Sequence, residues 1–354
     1  MVKKAESLEE LLKNVPVNAV IGENLVIAWT KINSPKCKNI VCSISGGSDS
    51  DIVLDICYRC DKDNKIDYVW FDTGLEYQAT KEHLKYLEQK YGIEIKKEKA
   101  IKPIPTTCKE YGQPFISKNV SEMINRLQRH NFEWEDKPYE ELLDKYCKIL
   151  VEDEAHRNGR LKKGVVKLFG KYYRGCVSAL AWWCNENKST RFCINYNKYL
   201  KEFMIANPPN YKISSKCCKY AKKDVIHKFL AKGDYDLNVS GTRKYEGGIR
   251  GTAYKTCFDD NDSKHDNYRP LFWYMNDDKR EYESAYNVIH SKCYTQYRLQ
   301  RTGCAGCPFG RNFEFELNVI QNHEPKLYKA VNNIFGDSYE YTRKYKKFRE
   351  KWGG

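Results

Sequence analysis

Two groups of residues in this chain have the types and spacing to do chemistry. The first is Ser45-Gly46-Gly47-Ser48-Asp49-Ser50, in which glycines let backbone amides approach a ligand and three hydroxyls and a carboxylate surround it. Between a strand and a helix N-terminus such a turn favours an anion, because free N–H groups and the positive end of the helix dipole face it. A Walker A loop would read GxxxxGK[ST]. This loop has no lysine to reach the β and γ phosphates, which argues against simple γ-phosphate hydrolysis. A carboxylate inside an anion site makes sense if Asp49 reaches a Mg²⁺ that bridges phosphates. The bland alternative is a Gly/Ser turn that caps a helix.

The second group is made of cysteines: Cys217-Cys218 and, 86 residues on, Cys304-Ala305-Gly306-Cys307. A CxxC pair alone reads as zinc, redox chemistry or nothing. Lys216, Lys219, Arg301 and Arg311 near the pairs would stabilise thiolate charge. A third stretch, Ser240 to Arg250, is rich in glycine and holds Arg243 and Arg250 seven apart, a pair suited to bidentate grip on phosphate. Surface charge on a loop is the alternative there.

The elements that must position these residues follow from periodicity. Lys38 to Ile44 is a β-branched run that stops at the first loop, and a helix with Ile52, Val53, Ile56, Cys57 and Cys60 on one face follows. A second run, Ile66 to Phe71, ends at Asp72-Thr73-Gly74; Glu76 to Tyr91 reads as a helix and Ile93 to Lys97 as a third strand. Such alternation predicts an α/β fold, a parallel sheet flanked by helices, with ligands beyond the carboxyl ends of its strands. From Ser117 to about Asn210 the strand signal is lost, helices are expected at Ser121 to Arg129 and Tyr139 to Val151, and a strand returns at Tyr235 to Ser240. The expected organisation is an N-terminal helical segment (1–35), a nucleotide-binding core (36–125), a helical basic insertion (126–210), the completion of the core with the Arg loop and cysteine motif (211–312) and a basic helical tail (313–354).

The chain has 354 residues, 41% hydrophobic and 31% charged, enough to bury a core. No apolar run approaches membrane-spanning length, and Met1 to Leu12 reads as a charged amphipathic segment and not as a signal peptide. With 15 cysteines, this points to reduced thiols and a cytoplasmic protein. Net charge is +14, which favours polyanionic partners. Ala155 to Asn185 contains no Asp or Glu but has seven basic residues, among them Lys162, Lys163 and Lys167, interleaved with Phe169, Tyr172 and Tyr173; six more lie between Arg343 and Lys351. A basic, aromatic surface grips phosphates and stacks bases, although a solvated loop has the same composition.

The loop SGGSDS after one strand and Asp72-Thr73-Gly74 after the next resemble the PP-loop superfamily of ATP pyrophosphatases, in its phosphoadenosine phosphosulfate (PAPS) reductase-like branch. The resemblance covers roughly residues 36–125 and 210–312. It implies the adenine nucleotide alpha hydrolase-like fold, phosphate binding by Ser45 to Ser50, and a nucleotide beside Asp72, Thr73 and Gly74. The stretch from Gly241 resembles the G-x-R-x-x-E/Q-S-x-x-R loop whose arginines close over the phosphates: Arg243, Glu246 and Arg250 match, while Gly247 stands in place of Ser. The CC…CxxC pattern resembles the [4Fe-4S] ligand set of adenosine 5′-phosphosulfate (APS) reductases, which implies Cys217, Cys218, Cys304 and Cys307 as ligands. Zinc is the alternative metal, and Cys293 is a candidate substitute for Cys217.

Sulfonucleotide reductases also have a Glu-Cys-Gly-Leu-His segment with a nucleophilic cysteine, which has no counterpart after Cys307, and a degraded loop, whereas this one is complete. The combination is similar to sulfur-transfer members of the branch. It implies an enzyme that uses ATP and Mg²⁺, releases AMP and pyrophosphate, and adenylates a nucleic-acid acceptor (tRNA or DNA) for sulfur transfer. Asp49, Arg243 and Arg250 are the expected catalytic residues, and a sulfur-donor protein is a further possible partner. Two other readings stand: a sulfonucleotide (APS/PAPS) reductase or sulfurylase-type enzyme, and a nucleotide-gated iron-sulfur protein that binds nucleic acid.

Overall fold

The computed structural model describes residues 2–147, 173–246, 254–259, 265–310 and 312–353. Arg250, Arg311 and residues 155–172 of the acid-free stretch lie outside them. In chain order the elements are α1 (Leu8–Leu12), α2 (Ala19–Ile32), β1 (Ile40–Ile44), α3 (Ser48–Cys60), β2 (Ile66–Asp72), α4 (Gln78–Tyr91), β3 (Ile95–Lys99), α5 (Ile104–Tyr111), α6 (Lys118–Gln128), α7 (Tyr139–Tyr146), α8 (Tyr173–Trp183), α9 (Leu200–Ala206), α10 (Lys216–Cys218), α11 (Asp224–Lys232), β4 (Leu237–Val239), β5 (Phe258–Asp259), β6 (Asp266–Tyr268), α12 (Asn276–Tyr286), α13 (Lys292–Thr295), α14 (Phe313–His323) and α15 (Pro325–Lys351).

The strands form one sheet in the order β3-β2-β1-β4-β6-β5, parallel except for the β5 edge. Central β1 is apolar on both faces, with Ile40, Val41, Cys42 and Ile44 all buried, as a parallel strand covered by helices must be. The outer strand β3 has the sequence IKKEK, and its charges blunt an edge that could otherwise pair with another chain. Register brings the polar turns together: Ile44 lies opposite Trp70 and Cys42 opposite Val239. The turns after β2, β1 and β4 therefore leave the same carboxyl edge of three adjacent strands.

The sheet is the α/β arrangement expected, with boundaries moved by a few residues. Glu76 and Tyr77 precede α4, whose C-terminus is closed by Gly92 in the left-handed region, φ 63°.

The chain divides into two compact units: residues 1–104, 220–305 and 316–327, and residues 105–219, 306–315 and 328–354. The first holds the sheet and a core that runs from Ile21 and Leu25 of α2 through α3 to Tyr268 and Tyr282. The second has its own core around Phe115, Ile124, Trp182, Trp183 and Phe203, where Phe132 and Trp134 meet Trp183 edge-on. No helix among the described residues is long and apolar enough to cross a membrane.

Candidate functional site

The first loop is shaped by its glycines. Gly46 has φ +67°, and a Cβ there would come within 2.7 Å of Thr80 Cγ2; at Gly47 it would press on Ser45 Oγ, Thr302 Oγ1 and Tyr294 OH. Gly47 caps α3 with no side-chain hydrogen bond, and the Ser48 backbone bonds the Tyr294 hydroxyl, which leaves the positive end of the helix dipole facing the loop. The three hydroxyls do different work. Ser50 is buried and its Oγ accepts from the Ser45 N–H at 2.9 Å, while Ser45 Oγ accepts from the Gly47 N–H at 3.3 Å. These two hold the turn. Ser48 Oγ accepts from Lys279 Nζ at 2.5 Å.

Asp49 sits between two cations. Arg243 Nε donates to its Oδ2 at 3.0 Å, and Lys279 Nζ lies 2.8 Å from its Oδ1 in an ion contact without hydrogen-bond alignment, so that this shielded oxygen accepts no directed bond. Arg243 is buried and is held by Asn276 Oδ1, which accepts from Nη1 at 3.0 Å. A Cβ at Gly241, at the exit of β4, would lie 3.4 Å from the Asp49 backbone. The structure thus brings Arg243 to the loop as the sequence implies, and adds Lys279 and Asn276 from α12, which sequence reasoning missed. Glu246 ends the short turn Lys244–Glu246.

One turn into α3 a second charged group was also missed. Asp51 is fully buried; its Oδ2 lies 2.8 Å from His290 Nδ1 and 3.0 Å from His83 Nε2. His290 Nε2 lies 2.8 Å from Glu283 Oε1, and Glu283 lies 3.7 Å from Lys279. Burial alone would lower the His290 pKa, but the carboxylates of Asp51 and Glu283 outweigh it and raise it from 6.5 to about 9. The ring is therefore an imidazolium that donates to both acids.

This has a sign. A histidine whose folded pKa is raised stabilises the fold fully below pH 6.5 and loses that contribution as the pH rises through about 9. At about 1.4 kcal/mol per pH unit, the expected contribution is about 3 kcal/mol. The melting temperature is expected to fall between these pH values more steeply in the wild type than in His290→Gln. Equal slopes would show that His290 is not charged in the fold.

The Asp72–Gly74 turn is built locally. Asp72 Oδ1 accepts from the Gly74 N–H at 2.8 Å, and its Oδ2 pairs with Lys97 at 2.7 Å. Burial would raise the Asp72 pKa, but these two partners hold it below the usual carboxylate range. Thr73 is buried and donates to Glu76 at 2.6 Å. Gly74 has φ +80°, and a Cβ there would lie 2.9 Å from Pro103. Asp72 and Thr73 thus use their polar atoms within the turn and on its neighbours Glu76 and Lys97.

Around Cys217 the structure adds a cysteine that the sequence reading did not place there. In the second unit the Cys217 side chain hydrogen-bonds with those of Cys108 and Cys218, and Cys307 is close enough to act on its charge. The Cys217 pKa is raised, first by the bond with Cys108, and then by burial, against the opposing bond with Cys218. Cys108 arrives because the end of α5 runs beside the strand-like segment before α10. Gln113 bridges to Ile213, its N–H bonds Lys212 O at 2.8 Å, and Gly112, at φ +109°, leaves no room for a Cβ against Lys212. Lys216 Nζ lies 4.1 Å above the Tyr111 ring, and a π-helical turn, Lys219–Lys223, follows Cys218. Cys304 belongs to the first unit and Cys307 to the second. Among the described residues no three His, Cys, Asp or Glu side chains are gathered so as to hold a metal ion. Cys108 stands beside Cys217, a place that sequence reasoning left to core packing. Cys293 is in the first unit, buried against Thr80 Oγ1 at 3.7 Å.

The C-terminal basic run is partly engaged. Arg343 makes a fork to Glu314 at 2.8 and 2.9 Å, and Lys346 lies over the Phe313 ring at 4.7 Å. Lys162, Lys163 and Lys167 lie outside the described residues.

No curated protein matches the chain. Among solved structures, a crystal structure of phosphoadenylyl-sulfate (PAPS) reductase from Candida auris, phosphate complex, is similar at 11% identity over 83% of this chain and 93% of that one, with a TM-score of 0.36. Residues 39–160 match the model of the phosphoadenosine phosphosulfate reductase domain, a span that contains the Ser45–Ser50 loop, the Asp72–Gly74 turn and the first three strands of the sheet. Over these residues the chain is similar to the phosphoadenosine phosphosulfate reductase domain.

Proposed function

We propose that this chain is an ATP-using PP-loop enzyme that adenylates a nucleic-acid acceptor and releases pyrophosphate, so that sulfur can replace the activated oxygen and AMP can leave. The observation that supports this reading best is Asp49, a carboxylate set inside a complete anion loop and neutralised by Arg243 and Lys279. An acceptor oxygen attacks the α phosphorus, the bond from that phosphorus to the α–β bridging oxygen breaks, and its electron pair leaves on pyrophosphate. The N-terminus of α3 faces the departing phosphates, and Arg243, held by Asn276, offsets the charge that develops there. The Asp49 carboxylate, now paired with Arg243 and Lys279, is the group that would hold a Mg²⁺ at the loop. The ion supplies positive charge at the leaving group.

The cysteines that the resemblance implies as ligands, Cys217, Cys218, Cys304 and Cys307, are of the type a thiophilic centre would take. In this reading the centre is a [4Fe-4S] cluster with zinc as the alternative, and it supplies sulfur or redox chemistry. No step above depends on it. The acceptor is inferred from charge. If about six phosphates are neutralised, tRNA or DNA affinity is expected to fall roughly a thousandfold between 50 and 200 mM salt. Lys162, Lys163 and Lys167 changed together to Ala are expected to flatten that slope in filter binding. No retention of either nucleic acid at low salt would remove the acceptor from the proposal. The match to the PAPS reductase domain favours a second reading, turnover of APS or PAPS, which reductive release of sulfite in the same preparation would establish.

A further inference from the structure

The loop at Ser45–Ser50 has no lysine, yet a lysine is at the loop. Lys279 projects from α12 and is largely buried, its side chain 14% exposed. Its ammonium lies 2.5 Å from Ser48 Oγ and 2.8 Å from Asp49 Oδ1, on the two residues that open α3. Asn276, Lys279 and Glu283 follow one another at i, i+3 and i+7, on one face of the helix. That face is fixed from below: Tyr282 OH donates to the buried Asp55 at 2.8 Å, in a group completed by Tyr91 and Arg59 at 2.7 Å each. The position of Lys279 is thus set by the fold and not by a free side chain.

Around it the charges balance. Asp49, Asp51 and Glu283 face Arg243, Lys279 and the His290 imidazolium. Glu283 is already bonded to His290 at 2.8 Å and stands 3.7 Å from Lys279, so Asp49 is the principal counter-ion of the lysine. A metal ion on Asp49 would take that carboxylate away, and both Arg243 and Lys279 would be left without it at the mouth of an anion loop. Phosphate oxygens are the natural replacement.

We propose that Lys279 is the phosphate-binding lysine of this site, delivered from α12 in place of a loop lysine, stored on Asp49 and Ser48, and passed to the oxygens of a polyphosphate when Mg²⁺ engages Asp49. This rests on the nucleotide reading above and assigns the contact to the polyphosphate, since the ammonium lies on the two residues that open α3 at the loop. A lysine that only neutralises Asp49 would affect the fold of the loop and every ligand alike. One that binds polyphosphate would discriminate between ligands.

The test is calorimetric titration of the full chain with MgATP, magnesium pyrophosphate and AMP, for the wild type, Lys279→Met, Lys279→Arg and, as a control on the same helix, the exposed Arg280→Ala. Lys279→Met is expected to weaken MgATP and pyrophosphate at least tenfold with AMP within twofold of the wild type. Lys279→Arg should recover most of the loss, and Arg280→Ala should change nothing. Wild-type binding of MgATP with an unchanged affinity in Lys279→Met, or an equal loss for all three ligands, would overturn the role of Lys279 and leave the nucleotide reading standing. A wild type that binds neither MgATP nor pyrophosphate would overturn both.

Discussion

Asp49→Ala is expected to abolish Mg²⁺-dependent formation of AMP, with a loss of about a thousandfold, the scale on which a main electrostatic contact to a leaving group acts. Two consequences of the change point in opposite directions and make the result diagnostic. The metal loses its ligand, so turnover stops. Arg243 and Lys279 lose the carboxylate at 3.0 and 2.8 Å, so metal-free ATP is expected to bind at least as tightly as to the wild type. Asp49→Asn keeps the volume and the bond to Arg243 and should be equally inactive. Quenched-flow or end-point assay of AMP, together with titration of ATP in a chelator, measures both. Retention of a tenth or more of the activity in either variant would show that Asp49 is a capping residue and not a metal ligand.

The second large effect concerns the thiols. Anaerobically purified protein is expected to be brown and to hold about four irons and four sulfides per chain. Cys217→Ser and Cys304→Ala should each bleach it, while Cys293→Ser, placed in the first unit against Thr80, should not. Metal binding requires thiolates, and here Cys217 is held protonated by its bond with Cys108 and by burial. Loading must therefore break that bond and release protons. Iron and sulfide analysis with the visible spectrum reads this without any activity assay. A colourless protein with one zinc per chain would replace the cluster with a zinc site, and a metal-free protein would remove the centre altogether.

These expectations depend on what local sequence can and cannot reveal. The sheet was legible because its inner strands are short β-branched runs that end in glycine or Asp turns, and a buried parallel strand leaves few other patterns possible. The loop was legible for the same reason: Gly46 needs a left-handed φ beside Thr80, and only a few residue types can follow it. Lys279 was not legible. Its spacing with Asn276 and Glu283 looks like any charged helix face until Tyr282 and Asp55 fix that face against α3, more than two hundred residues away. Asp51 and His290 were hidden in the same way, one among other charged residues of α3 and the other in the link between α12 and α13. Cys108 stands alone among charged residues of α5, and nothing local marks it as the neighbour of Cys217. The pairs CC and CxxC are visible in sequence, but proximity in three dimensions depends on where the units divide, between Ala305 and Gly306, which no spacing reveals.

The most direct test of the account is the fate of the phosphates. ATP labelled on the α or on the γ phosphate, incubated with Mg²⁺, the protein and the nucleic acid it retains, is resolved by thin-layer chromatography. The account predicts that the γ label appears in pyrophosphate and the α label in AMP or on the acceptor, and that neither appears with Asp49→Ala. Appearance of the γ label as inorganic phosphate with the α label in ADP, in a reaction free of pyrophosphatase, would contradict it.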